Sequence, residues 1–506
     1  MSHALANSTE HHRREFFRAA RKETLSIWDS EGVIGGHELE KQVKGNHEKL
    51  ERFLVRSVRL AGLLHDYGHL PFSHQSEAAV TPCLEQILGS EYKDYYESRM
   101  NFEVKYHEYM TLKLIDQIPD DTLAKPYRVI ARALLSGDLA SSPALAALAA
   151  LFGRDIDIDR FEYTLRDCAH MGKDLGGYDF DTIAHDATIR RLPGKRFALV
   201  AKDIALGQVE RFVYERYFLY KWVYRHPDVK IFDVAIERVL SLIVSHADEI
   251  ELKQEDEEEV RRLLHDLPKR FRASNFLENP HFDDIWMLGQ LRRLYYGIIK
   301  KPRLKTVTSL VRALLEVMLD RRGLASPLYK GDIQFYQFSR DAQSHFTRQV
   351  ASSKEILGAF ASRDRACFLN SIRGLIHFPS LIERLEQTLT DALLSRGLPA
   401  YVVVVPLPPF RVYKGDAFLM ETTTPDQKTK LEDLKDISPF CRMLDDTQRR
   451  DAGVFLYAVF SDPPTEEYEA EWKKIAPAVL GEQLGQLCEK LPPLAYVMAE
   501  SVIEKD

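Results

Sequence analysis

Apolar residues recur at three- and four-residue intervals in HEKLERFLVRSVRLAGLLHD (47–66), HEYMTLKLIDQI (107–118), ERFVYERYFLYKWVY (210–224), IFDVAIERVLSLIVSHADEI (231–250) and VTSLVRALLEVMLD (307–320). That period predicts amphipathic helices, and the runs are too long to be strands. Around residue 400 the pattern changes. AYVVVVPLP, DAFLMET and VFLYAVF are short β-branched or aromatic runs bounded by proline, glycine and aspartate, as strands are. The patterning predicts a mainly α protein: a helical core and extension over 1–330, a helical connector over 331–395 and a small C-terminal α+β unit over 396–506.

Composition narrows this only a little. A chain of 506 residues exceeds what one hydrophobic core usually serves, so two or three units are expected. With 69 basic and 76 acidic residues the formal charge is −7, which provides no overall cationic field for nucleic acid or an anionic membrane. The five cysteines show no CxxC spacing and read as reduced thiols, and no window approaches twenty consecutive apolar residues. These features predict a cytoplasmic protein. The acidic run ELKQEDEEEVRR (251–262) reads as a solvated helix start, with its acids near the positive end of the dipole.

The histidines change the picture. LLHDYGHLPFSHQSE (63–77) packs His65, Asp66, His69 and His74 into ten residues, in a chain with only 17 histidines. The preceding helix is expected to end at His65-Asp66, because Gly68 loosens the turn and Pro71 cannot continue it. An imidazole and a carboxylate at a helix end can both reach one ion. Further candidates are His11 and His12 in NSTEHHRRE, and Asp155, Asp157, Asp159 and Asp167 in DIDIDRFEYTLRDCAHMG. Mixed nitrogen and oxygen ligands suit a divalent ion such as Mn, Fe, Zn or Ni, whereas Mg prefers oxygen alone. An isolated histidine–aspartate dipeptide is usually structural; here it is not isolated.

The order H…HD…D, carried by LAGLLHDYGHLPFSH and then DIDRFEYTLRDCAHMG, resembles the HD-domain metal phosphohydrolases. Within them it is similar to the deoxynucleoside triphosphate triphosphohydrolases, the branch that includes the SAM-and-HD-domain proteins and their bacterial relatives. YERYFLYKWVYRHPDV, FLENPHFDDIWMLGQL, LLEVMLDRRGL and PPFRVYKGDAFL extend the likeness over nearly the whole chain, weakly between about 330 and 395. The resemblance implies an all-helical HD core and hydrolysis of dNTPs to deoxynucleoside and inorganic triphosphate. It also implies a divalent metal and a homo-oligomer. Another nucleotide or single-stranded nucleic acid as substrate, and a catalytically inactive nucleotide-binding protein, remain open as alternatives.

Residue by residue, the resemblance makes His65 and Asp66 the HD pair and Asp159 the last metal ligand. For the first ligand, His47 shares the helix of His65 and would lie about 27 Å away at ~1.5 Å per residue, so it cannot share an ion. His11, in NSTEHHRRE, fits the family's pattern better, with His12 as runner-up. His107 matches the general acid that protonates the leaving 5′ oxygen, and His69 and His74 match its neighbours. Glu108 and Asp66 are expected to orient imidazoles or water. Arg160, Tyr163 and Asp167 match phosphate, sugar and 3′-hydroxyl contacts. Arg216, Tyr220 and Tyr224 fall on one helix face, where a buried guanidinium needs an anion such as a triphosphate. Ser8 stands where the family has a phosphate-binding arginine, and the family's segment ahead of its first histidine has no counterpart in the few residues before His11.

Overall fold

The computed structural model describes residues 1–349 and 379–490, apart from 34–37, 103, 121–123, 154–155, 173–176, 256, 273–281, 300–305, 321–323, 408–417, 424–428, 449–452 and 461. Asp155 lies outside the described residues. The first helices are α1 (Ser2–Asn7), α2 (Glu10–Ser30), α3 (His47–Leu64), α4 (His74–Val80), α5 (Tyr106–Gln117), α6 (Lys125–Leu135), α7 (Pro143–Ala149), α8 (Ile158–His170) and α9 (Phe180–Asp186). Helix α3 starts where Asn46 Oδ1 accepts from Lys49 N at 2.9 Å. It buries Leu50, Phe53, Leu54, Ser57, Val58 and Ala61, the apolar stripe read from the sequence. These side chains meet Phe16, Phe17 and Trp28 of α2 and Ile130, Leu134, Leu145 and Leu148 of α6 and α7. Each large apolar side chain sealed there contributes about 1.5–3 kcal/mol.

After α9 the chain forms a hairpin, β1 (Thr188–Arg191) with β2 (Phe197–Lys202), inside the stretch expected to be helical. Its cause is visible in TIRRLPGKRFALVAK: a Pro193-Gly194 reversal, with Gly194 at φ +74°, between two runs of strand-forming residues. Helices α10 (Leu206–Leu219), α11 (Pro227–His246) and α12 (Val307–Asp320) follow close to their expected positions. Between α10 and α11, Tyr220–Tyr224 forms one π-helical turn, with Arg225 N donating to Tyr220 O at 3.2 Å. The acidic run leads into a helix over Glu257–Asp266 with three glutamates in its first turn.

Strands β3 (Ala325–Pro327), β4 (Ala400–Leu407), β5 (Leu419–Thr423), β6 (Thr429–Asp433) and β7 (Gly453–Phe460) complete two small sheets, and α13 (Pro379–Leu394) packs on β4. One sheet runs β1-β2-β5-β6, with β5 parallel to β2; the other runs β3-β7-β4, both neighbours antiparallel to β7. The VVVV run of β4 is buried on both faces, which is why it does not alternate with polar residues. Val402 and Val404 enter one core with Leu385 and Leu389 of α13, while Val403 and Val405 enter another with Val239 and Leu240 of α11. The result is a mainly α protein with a small α+β part.

Candidate active site

The HD pair sits where α3 ends. His65 caps the helix, its Nδ1 lies 2.8 Å from Gly62 O, and its carbonyl accepts from Thr111 Oγ1 at 3.1 Å. Thr111 in turn accepts from Gly68 N at 2.9 Å. A Cβ on residue 68 would lie 2.3 Å from His107 O, so only glycine lets this turn touch α5 so closely. With Nδ1 committed to a carbonyl, Nε2 is the ring nitrogen that faces inward and, once it gives up its proton, the one free to ligate.

Nε2 of His65 is buried and makes no well-directed hydrogen bond. It faces Asp66 Oδ2 at 3.2 Å and Asp159 Oδ1 at 3.5 Å, and one ligand atom of each residue lies within 4.8 Å of the others. Asp159 is brought there by the first turn of α8, which Asp157 caps by accepting from Arg160 N at 2.8 Å. An orphaned imidazole nitrogen between two carboxylates fits a divalent ion, and the nitrogen favours Mn, Fe, Zn or Ni over Mg.

The pull of Asp159 and then Asp66 raises His65 to about 10. Burial opposes ionisation of Asp66, but the imidazoles of His65 and His69 close beside it outweigh it and hold the carboxyl well below its usual range. The raised His65 value stabilises the metal-free fold fully below ~6.5, and that contribution is lost as pH rises through about 10. A metal must displace the same proton. Calorimetry in buffers of differing ionisation enthalpy at pH 8 should therefore show about one proton released per Mn²⁺ bound. Binding without proton release would contradict this ligand.

A second group adjoins the first through Asp66, whose Oδ1 lies 3.4 Å from His69 Nε2. His69, His74 and His107 pack ring to ring, with centroids 4.1 Å apart for His69 and His107 and 5.2 Å for His74 and His107. Phe72 and Ser73, between His69 and His74, take φ of 62° and 51°, a strained turn of the kind kept at functional sites. Glu77, which the sequence reading overlooked, organises this cluster. Its Oε2 accepts from His107 Nδ1 at 2.8 Å and lies 3.3 Å from His74 Nδ1; its Oε1 accepts from Tyr106 N and His107 N at 2.8 and 3.3 Å. Burial opposes its charge, yet these bonds hold its carboxyl far below the usual range. Glu108 does other work: it accepts from Lys105 N at 2.8 Å at the start of α5 and stands 4.0 Å from His107 Nε2.

Arg216 Nε donates to Tyr163 Oη at 3.1 Å, its guanidinium lies 5.8 Å from the Tyr220 ring centre, and Tyr224 hydrogen-bonds Asp167. Burial pushes Tyr163 up to about 12, so it remains a neutral donor. His65, Asp66, His69, His74, His107, Glu108, Asp159, Arg160, Tyr163, Arg216, Tyr220 and Tyr224 all line one cleft of ≈ 970 Å³. Lys230, Asp233 and Glu237 of α11, also unanticipated, line it too.

His11 is not brought to the metal group among the described residues. Phe17 stacks on His47 at 4.8 Å and Phe16 meets Phe197 edge to face at 5.6 Å, which ties the start of α2 to the start of α3 and to β2. His65 is at the opposite end of α3, roughly 27 Å away. His11 is 71% exposed and faces Glu15 at 3.4 Å, while His12 Nδ1 accepts from Arg191 N at 3.3 Å. Of the four expected ligands the structure brings three together, His65, Asp66 and Asp159. Ser8 is buried against β1, accepting from Ile189 N at 2.8 Å, away from the cleft.

No family model matches the chain. The Mycoplasma pneumoniae "Uncharacterized protein MG461 homolog" is 27% identical over 33% of this chain and 37% of its own length. The deoxynucleoside triphosphate triphosphohydrolase SAMHD1 homolog of Dictyostelium discoideum is 26% identical over 43% of this chain and 39% of its own. Human deoxynucleoside triphosphate triphosphohydrolase SAMHD1 is 25% identical over 36% and 30%. This chain thus spans well under half the length of the relatives it matches. A solved phosphohydrolase of Bacteroides thetaiotaomicron aligns over 88% of this chain and 86% of its own, with 14% identity and a TM-score of 0.46.

The histidine–aspartate pair at a helix end, met by an aspartate from a later helix, and the partial matches to proteins named triphosphohydrolases make this chain distantly similar to the HD-domain dNTPase-like family.

Among the described residues no helix is long and apolar enough to cross a membrane.

Proposed function

We propose that the cleft hydrolyses dNTPs to deoxynucleoside and inorganic triphosphate with a divalent metal. The observation that carries this reading is the alignment, in one cleft, of the His65–Asp66–Asp159 group, the Glu77-held histidines and the cations Arg160 and Arg216. The relatives named as triphosphohydrolases support it.

His65, Asp66 and Asp159 would hold the ion. When bound, the metal supplies Lewis-acid polarisation of a phosphoryl oxygen and eases deprotonation of water. Arg160 and Arg216 bind triphosphate oxygens and absorb charge as it develops. Tyr163 and Tyr224 border the sugar, Asp167 behind them holds the Tyr224 hydroxyl, and Tyr220 closes the site beside Arg216. Water oxygen adds to the α-phosphorus, its proton passing to solvent, as the bond from that phosphorus to O5′ breaks. His107, with Nδ1 held by Glu77, gives the proton on Nε2 to O5′, so the deoxynucleoside leaves as a neutral alcohol. His69 and His74 flank that ring and would fix its position.

Chromatography of each dNTP incubated with the protein and Mn²⁺ tests the reading; equimolar triphosphate and deoxynucleoside are expected. Orthophosphate or a mononucleotide instead would assign the cleft to another phosphoester, single-stranded nucleic acid included. Silence with every ion would leave a nucleotide-binding protein. Arg216→Ala should weaken triphosphate substrates by ~2–5 kcal/mol in kcat/KM through loss of a charge-assisted contact. An aryl phosphodiester lacking those phosphates should be little affected, and equal losses on both would remove Arg216 from phosphate binding.

A further inference from the structure

A second cavity, of ≈ 580 Å³, shares one wall residue with the cleft, Asp157. Its lining is mainly apolar, with Ala147 of α7, Leu151, Ile156, Phe161 of α8, Ile183 of α9 and Leu199 of β2 facing the space. The charged or titratable side chains along it are His3, Asp157 and Arg196. These three are not distributed at random. Asp157 is buried and saturated, its two oxygens accepting from Arg160 N at 2.8 Å and pairing with Arg160 Nη1 at 3.1 Å. His3 and Arg196 are exposed and so mark the mouth. Among the described residues the Arg196 guanidinium reaches only Pro193 O, at a long 3.5 Å.

The space is of ligand size, since small-molecule sites run about 300–1,000 Å³. An apolar interior excludes nucleotides and sugars, whose hydroxyls and phosphates would lose water without finding partners. A cation at the rim favours an anionic head. We propose that this cavity binds a medium-chain amphiphile with one anionic head, a fatty acylate in chemical class, with the chain inside and the carboxylate at Arg196. Asp157 provides its link to the cleft. The residue caps α8, whose first turn carries Asp159 and Arg160, so a ligand pressing on Ile156 and Phe161 acts on the helix start that presents both side chains to the cleft.

Titration calorimetry of the full chain with hexanoate, octanoate, decanoate and dodecanoate tests the site. Affinity should rise about fourfold per methylene, the equivalent of ~0.8 kcal/mol per buried CH₂, and then level off once the cavity is full, at one ligand per chain. Ala147→Trp, which fills the space, should abolish binding. If that variant fails to fold, Arg196→Glu decides: it should weaken acylates severalfold and leave decanol unchanged. Absence of binding, uptake of many molecules per chain, or acylate affinity unchanged in Arg196→Glu would overturn the site. Saturating decanoate should also change the Mn²⁺ affinity of the native chain, about fivefold or more if the coupling is of ordinary size. An unchanged Mn²⁺ affinity would overturn the link through Asp157.

Discussion

Asp66→Ala is expected to lose both the metal and turnover. Its two oxygens serve two neighbours, one facing His65 Nε2 at 3.2 Å and the other His69 Nε2 at 3.4 Å. Removing the carboxylate takes one of three ligands from the metal group and frees His69 from its anchor. Three protein ligands are already the fewest usual for a catalytic ion, so two should not retain it. Metal analysis after dialysis should find at most about a tenth of an equivalent, and kcat/KM should fall roughly 10³-fold or more, the scale of losing a charge-absorbing group in phosphoryl transfer. Asp66→Asn, which keeps the shape and removes the charge, should lose the metal too. Full occupancy in either variant would mean that Asp66 is not a ligand.

His107→Ala should separate proton donation from metal binding. The ring is 8% exposed and touches Glu77, His69 and His74, but it is not a member of the His65–Asp66–Asp159 group. Its loss should therefore leave the metal and the KM for dNTPs in place while kcat falls roughly 10²–10⁴-fold, the usual contribution of a positioned acid. An activated ester such as a p-nitrophenyl phosphodiester needs no proton on its leaving phenolate and should be cleaved at near the native rate. Glu77→Gln should give a milder loss, roughly 10–100-fold, with the alkaline limb of the pH–rate profile displaced, because the carboxylate acts only through the imidazole that donates the proton. Equal loss of both substrates together with the metal would move the acid role to His69 or His74.

Much of this architecture is legible in the residues. The stripe Leu50, Phe53, Leu54, Ser57, Val58, Ala61 states a helix with one buried face, and the break at Gly68 and Pro71 states where it stops. The β4 run is legible as a strand because four successive valines suit a strand buried on both sides. The β1–β2 hairpin is harder to see, because apolar character dominates FALVA and the turn residues between the strands are few. Glu77 could have been found: it stands three residues after His74 in a short helix, one turn along the same face. Nothing local reveals that its other partner is His107, 30 residues on. The placing of His11 failed for a different reason. A motif fixes order along the chain, whereas the direction in which α2 runs is set by Phe16 and Phe17 packing against Phe197 and His47, a tertiary matter.

Hydrolysis in water enriched in ¹⁸O tests the central claim most directly. The native chain with Mn²⁺ and a dNTP should yield inorganic triphosphate carrying one ¹⁸O, and deoxynucleoside carrying none, because water attacks the α-phosphorus and the bond from phosphorus to O5′ breaks. Label in the deoxynucleoside, label in released orthophosphate, or no triphosphate at all would contradict the account.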